Sequence, residues 1–282
     1  MHAPPRLFDA DLLAARRARA AAQGPVDFLQ AAVADEVSER LAEVNRRFRA
    51  PALVGPRPDI WGPALGAVVG GALRAVPDAE TLDLAEGAHD LVVHALALHW
   101  ANDPVGQLVQ MRRALRPDGL MLAALFAGET LTELRAALAE AEVEVTGGLS
   151  PRIAPMGEIR DLGGLLQRAG FALPVADSRR FDVSYAGATQ LMRDLRGMGE
   201  TNVMAERHRR PMPRALLARA AAIYADAFGR PDGRVRATFE LVFLTGWAPA
   251  AGQQKPLRPG SAQARLADAL GTVEQKPGEG GD

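Results

Sequence analysis

Two continuous apolar runs of strand length stand near the middle of the chain, at residues 90–96 and 120–126. Both are apolar at consecutive positions rather than alternate ones, which is typical of parallel strands covered on both faces. Between them, residues 104–115 place their apolar side chains three and four positions apart, as on one face of a helix. This strand–helix–strand order predicts an α/β sheet.

Further segments extend the pattern on both sides. Helical spacing or capping predicts helices over residues 7–22, 27–47, 130–145, 156–169, 188–196 and 214–228, and extended segments are predicted at 51–54, 171–185 and 238–247. Residues 56–71 are rich in Gly and Pro and predict no element. Residues 116–119, Arg-Pro-Asp-Gly, predict a turn, because Pro fixes φ and Gly tolerates positive φ.

These elements predict a mostly parallel sheet with helices on both faces and an antiparallel last strand. A helical insertion at about residues 187–232 precedes that strand. Residues 1–50 are expected to form N-terminal helices and residues 51–249 the sheet domain. Residues 250–282 have Gly, Pro and Gln in place of core residues, and we expect a mobile tail there.

Composition excludes several classes of site. The 282 residues include no Cys, which excludes disulfides, thiolate metal sites and Cys nucleophiles. The 33 basic and 34 acidic side chains nearly cancel, so we expect no nucleic-acid partner. No pair of histidines has metal-ligand spacing, so we expect no metal site.

The chain is expected to be cytoplasmic. No apolar run approaches the roughly 20 residues that span a bilayer, and the N-terminal residues have no apolar signal-peptide core. We therefore expect no integral membrane segment, while transient association with a membrane stays open.

Residues 96–103, Leu-Ala-Leu-His-Trp-Ala-Asn-Asp, together with Arg-Pro-Asp-Gly at 116–119, resemble the centre of class I S-adenosylmethionine methyltransferases. Five further segments are similar to the respiratory complex I assembly factors of that superfamily: residues 126–135, 147–152, 161–163, 191–200 and 246–247. Members of that family are described as methyltransferase-like proteins and, in one branch, as arginine hydroxylases. The malonyl-carrier-protein O-methyltransferases are a more distant resemblance.

This resemblance implies a Rossmann-like class I methyltransferase sheet, S-adenosylmethionine as cofactor, and a protein substrate. The expected substrate is a peripheral-arm subunit of respiratory complex I, the NADH:quinone oxidoreductase. Carried onto this sequence, the family pattern gives cofactor-binding candidates at Gly55, Asp83, Leu84, Leu96, His99 and Trp100. Substrate-binding candidates are Arg152, Met198, Gly199, Glu200 and Asn202, and the candidates for catalysis are His99 and Arg152.

The first cofactor-binding loop departs from the family pattern. Such a loop needs small residues and free amide N–H groups beside the methionine moiety. Only Gly55 matches, while Pro56 and Pro58 remove donors and fix φ. The short segment between Val54 and Leu91 also leaves no clear counterpart of the carboxylate that binds the ribose hydroxyls. We therefore predict weak or absent affinity for S-adenosylmethionine.

Three functions stay open at this point: an enzyme that methylates or hydroxylates a protein side chain, an assembly chaperone that has lost its cofactor, and a small-molecule methyltransferase. The individual residues have structural alternatives as well. Trp100 could pack beneath the next helix, with Asp103 as its cap. His94 is expected to be a buried core or cleft residue. The functional surface is expected at the C-terminal ends of the strands.

Overall fold

The structure is a computed structural model that describes residues 6–253. The described residues up to Pro249 belong to one compact unit, and Ala250 begins a second. Residues 1–5 and 254–282 are outside the described part, so most of the predicted tail lies there. No helix within residues 6–253 is long and apolar enough to cross a membrane.

Six strands and eight α-helices are formed by the described residues. The helices are α1 (Ala10–Gln23), α2 (Phe28–Glu43), α3 (Pro58–Gly66), α4 (Pro104–Ala114), α5 (Thr132–Thr146), α6 (Ile159–Ala169), α7 (Ala188–Met198) and α8 (Arg214–Phe228). The strands are β1 (Pro51–Val54), β2 (Arg74–Val76), β3 (His89–His94), β4 (Leu115–Phe126), β5 (Ala172–Tyr185) and β6 (Val235–Trp247). One 3₁₀ turn, Leu98–Trp100, follows β3.

The strands form one sheet in the order β2-β1-β3-β4-β6-β5. The pairs β1–β2, β1–β3 and β3–β4 are parallel, and β6 runs antiparallel to both β4 and β5. Helices α7 and α8 stand between β5 and β6 in the chain. The predicted α/β sheet with an antiparallel last strand is confirmed.

Alternate residues of the strands point into two separate apolar cores, one on each face of the sheet. Leu53 and Val93 face the core that α2, α3, α5 and α8 cover. Val54 and Val92 face the other core, which α4 and α6 cover. Burial on both faces explains why these strands appear in the sequence as continuous apolar runs.

Several elements differ from the expectation. Helix α2 ends at Glu43 rather than near residue 47, and residues 56–71 contain α3, with Pro58 in its first turn. The turn predicted at residues 116–119 is wrong as a separate element, because β4 runs through it. The pairing of β3 with β4 is irregular there, and Asp118 rather than Gly119 has the positive φ, at 63°.

Candidate functional site

The C-terminal ends of the four parallel strands lie side by side and form the edge of the sheet that we call the carboxyl edge. Val54 of β1 is in register with Val76 of β2 and with His94 of β3, and His94 pairs with Ala123 near the end of β4. Loops diverge at such an edge, and open α/β sheets bind their ligands there.

Helix α1 lies over this edge and is anchored to it by polar bonds. Arg17 Nη1 donates to both carboxylate oxygens of Asp78, which follows β2, at 3.0 and 2.8 Å. Just before the helix, the Phe8 N–H donates to Asn102 Oδ1 at 2.8 Å, and the Phe8 ring meets Trp100 edge to face at 5.0 Å. The carboxylate of Asp78 is therefore already engaged within the chain.

The loop after β1 is packed tightly against the neighbouring strand. Gly55 has φ 133°, and a Cβ built on it would lie 2.9 Å from the carbonyl oxygen of Ala95. The Gly55 N–H donates to the carbonyl of Val76 at 3.0 Å. Pro56 and Pro58 have no N–H to offer. The residues present therefore do not form the open, amide-lined cradle that S-adenosylmethionine needs.

A buried polar cluster links the turn after β3 to the segment after α7. His99 Nε2 lies 3.1 Å from Glu200 Oε2, and the Trp100 indole N–H donates to the same oxygen at 2.5 Å. The side chains of His99 and Glu200 are 4% and 10% exposed. Burial alone raises the pKa of Glu200, but the charge and hydrogen bond of His99, with Arg17 and Trp100, outweigh it and hold the pKa below its ordinary value.

His94, at the end of β3, is fully buried, as expected for a core residue. Its Nε2 lies 3.0 Å from Gln107 Oε1, while its Nδ1 has no hydrogen-bond partner among residues 6–253. Burial lowers the pKa of His94 to about 4, against the smaller opposing effect of Asp78. The imidazole is therefore neutral at physiological pH.

Arg152 is engaged by a carboxylate of the chain itself. Its Nε and Nη2 donate to the two oxygens of Glu142 on α5, at 2.9 and 2.5 Å. The Ser150 hydroxyl donates to the same carboxylate at 2.6 Å. Burial raises the pKa of Glu142, and the bonds from Arg152 and Ser150 more than reverse this effect. Sequence reasoning missed Glu142, because its burial on α5 is visible only in the structure.

The loop after α5 and the segment after α7 meet, because Asn202 Nδ2 donates to the carbonyl of Pro151 at 2.8 Å. Met198 and Gly199 end α7, and Gly199 lies against the side chain of Arg17. These contacts bring two segments, which are far apart in the sequence, to the same side of the carboxyl edge.

Three cofactor candidates are not part of this cluster. The carboxylate of Asp83 is 86% exposed and pairs with Arg74 at 2.8 Å. Leu84 is partly buried against the core under α4 and α6. Leu96 is buried just beyond β3, with a positive φ of 44°. Their role in cofactor binding stays a prediction.

A cavity of about 570 Å³ opens beside the cluster, between α1, α5, α7 and residues 200–212. Of the predicted site residues, Trp100, Arg152, Glu200 and Asn202 line it. Sequence reasoning missed Arg16 of α1 and the apolar residues of the cavity, including Phe126, Leu134 and Phe239.

Asp103 caps α4 by accepting from the Gly106 N–H at 2.7 Å, so the capping prediction for that residue is confirmed.

Comparison with known proteins supports the resemblance seen in the sequence. Residues 68–123 match the family described as Methyltransferase domain. The mitochondrial arginine-hydroxylase NDUFAF5 of Danio rerio is 43% identical over 191 residues, which are 68% of this chain and 59% of that protein. Its human counterpart is 41% identical over 190 residues, covering 67% and 55%. This chain is related to those proteins.

A malonyl-[acyl-carrier protein] O-methyltransferase of Laribacter hongkongensis is 39% identical over 183 residues, covering 65% of this chain and 59% of that protein. The chain thus spans less than two thirds of the length of these relatives. The crystal structure of the YcgJ protein from Bacillus subtilis superposes with a TM-score of 0.50 at 11% identity, covering 77% of this chain and 99% of that one, and supports the fold alone. The match to the Methyltransferase domain begins at residue 68, after the closed loop of Gly55.

Proposed function

We propose that this chain acts in the assembly of respiratory complex I by modifying a side chain of a peripheral-arm subunit. One observation carries the proposal. The segments that resemble the assembly factors, residues 126–135, 147–152 and 191–200, all contribute to the walls of one cavity beside the carboxyl edge. The related arginine-hydroxylases support it by their names and by identities of about 40%.

The residues around the cavity suit the docking of a protein segment at its mouth. Glu142 fixes the guanidinium of Arg152, and Asn202 ties the two bordering loops together. A wall whose side chains are already positioned loses less conformational entropy when a partner binds. The proposal keeps the cytoplasmic location expected from the sequence.

The cofactor of this reaction is the open part of the proposal. The Methyltransferase domain match favours S-adenosylmethionine. The packing of Gly55 against Ala95 and the engagement of Asp78 by Arg17 favour the second candidate, an assembly chaperone without cofactor chemistry. Both candidates use the mouth of the same cavity for the partner subunit, and they differ in whether the subunit is chemically changed.

The test is deletion of the gene in its own host, with complementation. We expect the deletion to lower the amount of assembled complex I and its NADH:quinone oxidoreductase activity, and the wild-type gene to restore both. Arg152→Ala and His99→Ala are expected to restore less. Arg193→Ala, at an exposed position of α7 outside the cavity, is the matched control and should restore fully.

Mass spectrometry of the peripheral-arm subunits separates the two candidates. A subunit that gains one oxygen or one methylene only when the chain is present supports the enzyme. Lost assembly without any change in mass supports the chaperone. Normal complex I in the deletion strain would contradict the assembly role itself. Calorimetric titration with S-adenosylmethionine shows separately whether the closed loop leaves any affinity.

A further inference from the structure

The walls of the cavity carry an excess of positive charge that the described residues do not neutralise. Arg152 and Arg207 line the cavity but are paired with Glu142 and Asp9. Glu200, the acidic side chain of the lining, is already held by His99 and Trp100. Within residues 6–253, four further lining arginines make no ion pair: Arg16, Arg196, Arg209 and Arg210.

The inner part of the cavity is apolar. Its walls there come from β4, α5, α7 and β6, and their apolar members include Phe126, Leu131, Leu134, Leu138, Met192 and Phe239. All six belong to the apolar core on that face of the sheet or pack against it. A ligand that enters this part gains by removing apolar surface from water.

Two polar atoms of lining residues are buried without any partner in the described part of the chain: Arg16 Nε and Thr201 Oγ1. Buried polar groups in proteins are nearly always hydrogen-bonded, and each exception calls for an explanation. Both atoms carry a hydrogen that can be donated. Both atoms are shielded from solvent, but their side chains line the cavity, so a rotation of either side chain would present its donor to a ligand that brings acceptor oxygens.

We propose that this cavity binds an amphipathic organic anion, in which an apolar body occupies the inner part and a carboxylate or phosphate head meets the arginines. The volume of about 570 Å³ lies within the range of small-molecule sites. It is larger than a single inserted side chain needs, which favours a small molecule over one residue of a peptide. The same arginines disfavour a cationic ligand. The inference does not depend on the role in complex I assembly.

Calorimetric titration of the full chain tests the class of ligand with three probes that share one tail: decanoate, decyl phosphate and decyltrimethylammonium. We expect at least one of the two anions to bind at one site per chain and the cation not to bind. Tighter binding of decyl phosphate points to a lipid-like head, and tighter binding of decanoate points to a fatty acid. Equal binding of the cation, or no binding of either anion, overturns the proposal.

Variants test the position of the head group. Arg16→Gln should weaken anion binding by about tenfold to hundredfold, which is the net effect of losing a hydrogen bond to a charged group. Arg196→Gln is a second variant at an exposed position of α7, and Arg193→Gln on the same helix is the matched control. Thermal unfolding confirms that each variant is folded.

Unchanged anion affinity in both Arg16→Gln and Arg196→Gln would place the head elsewhere and overturn the proposal. An acidic, leucine-containing peptide that binds where decanoate does not would also overturn it, because the interior of the cavity, and not only its mouth, would then accept protein. Failure of these tests would leave the deletion phenotype unaffected, so the two proposals are judged separately.

Discussion

The neutral, buried imidazole of His94 gives the clearest prediction of how stability depends on pH. The side chain is inaccessible to solvent, and burial lowers its pKa to about 4, from 6.5 in an unfolded chain. Between pH 6.5 and about pH 4, this imidazole is therefore protonated in the unfolded chain but neutral in the folded chain. Stability must fall as the pH drops from 6.5 towards 4, because the proton favours the unfolded state.

The size of the effect follows from the two pKa values. One pKa unit corresponds to about 1.4 kcal/mol. The loss contributed by His94 therefore reaches about 2 kcal/mol at pH 5 and approaches about 3 kcal/mol below pH 4. Aspartate and glutamate ordinarily titrate below pH 5. Measurements between pH 7 and pH 5 consequently isolate the histidine contribution from most of the carboxylates.

The perturbation is His94→Gln, because an amide can still donate to Gln107 but does not titrate in this range. Urea unfolding at pH 7, 6 and 5 gives the free energy of unfolding of both proteins. We expect the wild type to lose about 2 kcal/mol more than the variant between pH 7 and pH 5. His208→Gln, at an exposed position, is the control and should follow the wild type.

Parallel pH profiles for the wild type and His94→Gln would refute the reasoning. They would mean that water or a local rearrangement solvates the protonated imidazole in the folded state. A variant that is less stable at every pH by the same amount would show a packing role without titration. The absolute stability of the variant is therefore irrelevant, and only the difference in slope decides.

Three further substitutions test local features by thermal or urea unfolding. Gly55→Ala should lower the free energy of unfolding by about 1–3 kcal/mol, because φ is 133° and the new Cβ would meet the carbonyl of Ala95. An unchanged stability would show that the loop can open. Glu133→Ala should cost about 1–3 kcal/mol, because the buried Thr238 loses the acceptor for its N–H and hydroxyl; Glu133→Gln should cost less. Asp103→Ala should cost about 1 kcal/mol through loss of the cap of α4, and an effect below a few tenths would contradict the capping role.

Local sequence patterns predicted those elements whose apolar spacing is visible in the sequence. Helix α8 matches its predicted bounds at residues 214–228, and β1 matches residues 51–54. Helix α3 was not predicted, because Pro58 and the glycines around it indicate loop locally. What stabilises α3 is tertiary, since Trp61 and Leu65 are both fully buried in the core.

The candidate site also contains residues that the sequence predicted and contacts that it did not. Trp100, Glu200 and Asn202 were found because their segments resemble a family, and the fold brings them to one cavity. The position of helix α1 over the carboxyl edge was not predicted. Arg17 and its partner Asp78 are 61 positions apart, and neither residue stands out among its neighbours in the sequence. A partner supplied from far along the chain leaves no spacing that a sequence pattern can reveal.

The carboxyl edge and the cavity differ in what they leave for a ligand. At the edge, Asp78 already accepts from Arg17, and Glu200, which also lines the cavity, accepts from His99 and Trp100. A nucleoside cofactor needs such carboxylates for its ribose hydroxyls. Elsewhere in the cavity wall, two donors, Arg16 Nε and Thr201 Oγ1, have no acceptor among residues 6–253, and four arginines make no ion pair there. Since a buried donor without an acceptor is costly, the chain is better prepared for an anion in the cavity than for a nucleoside at the edge.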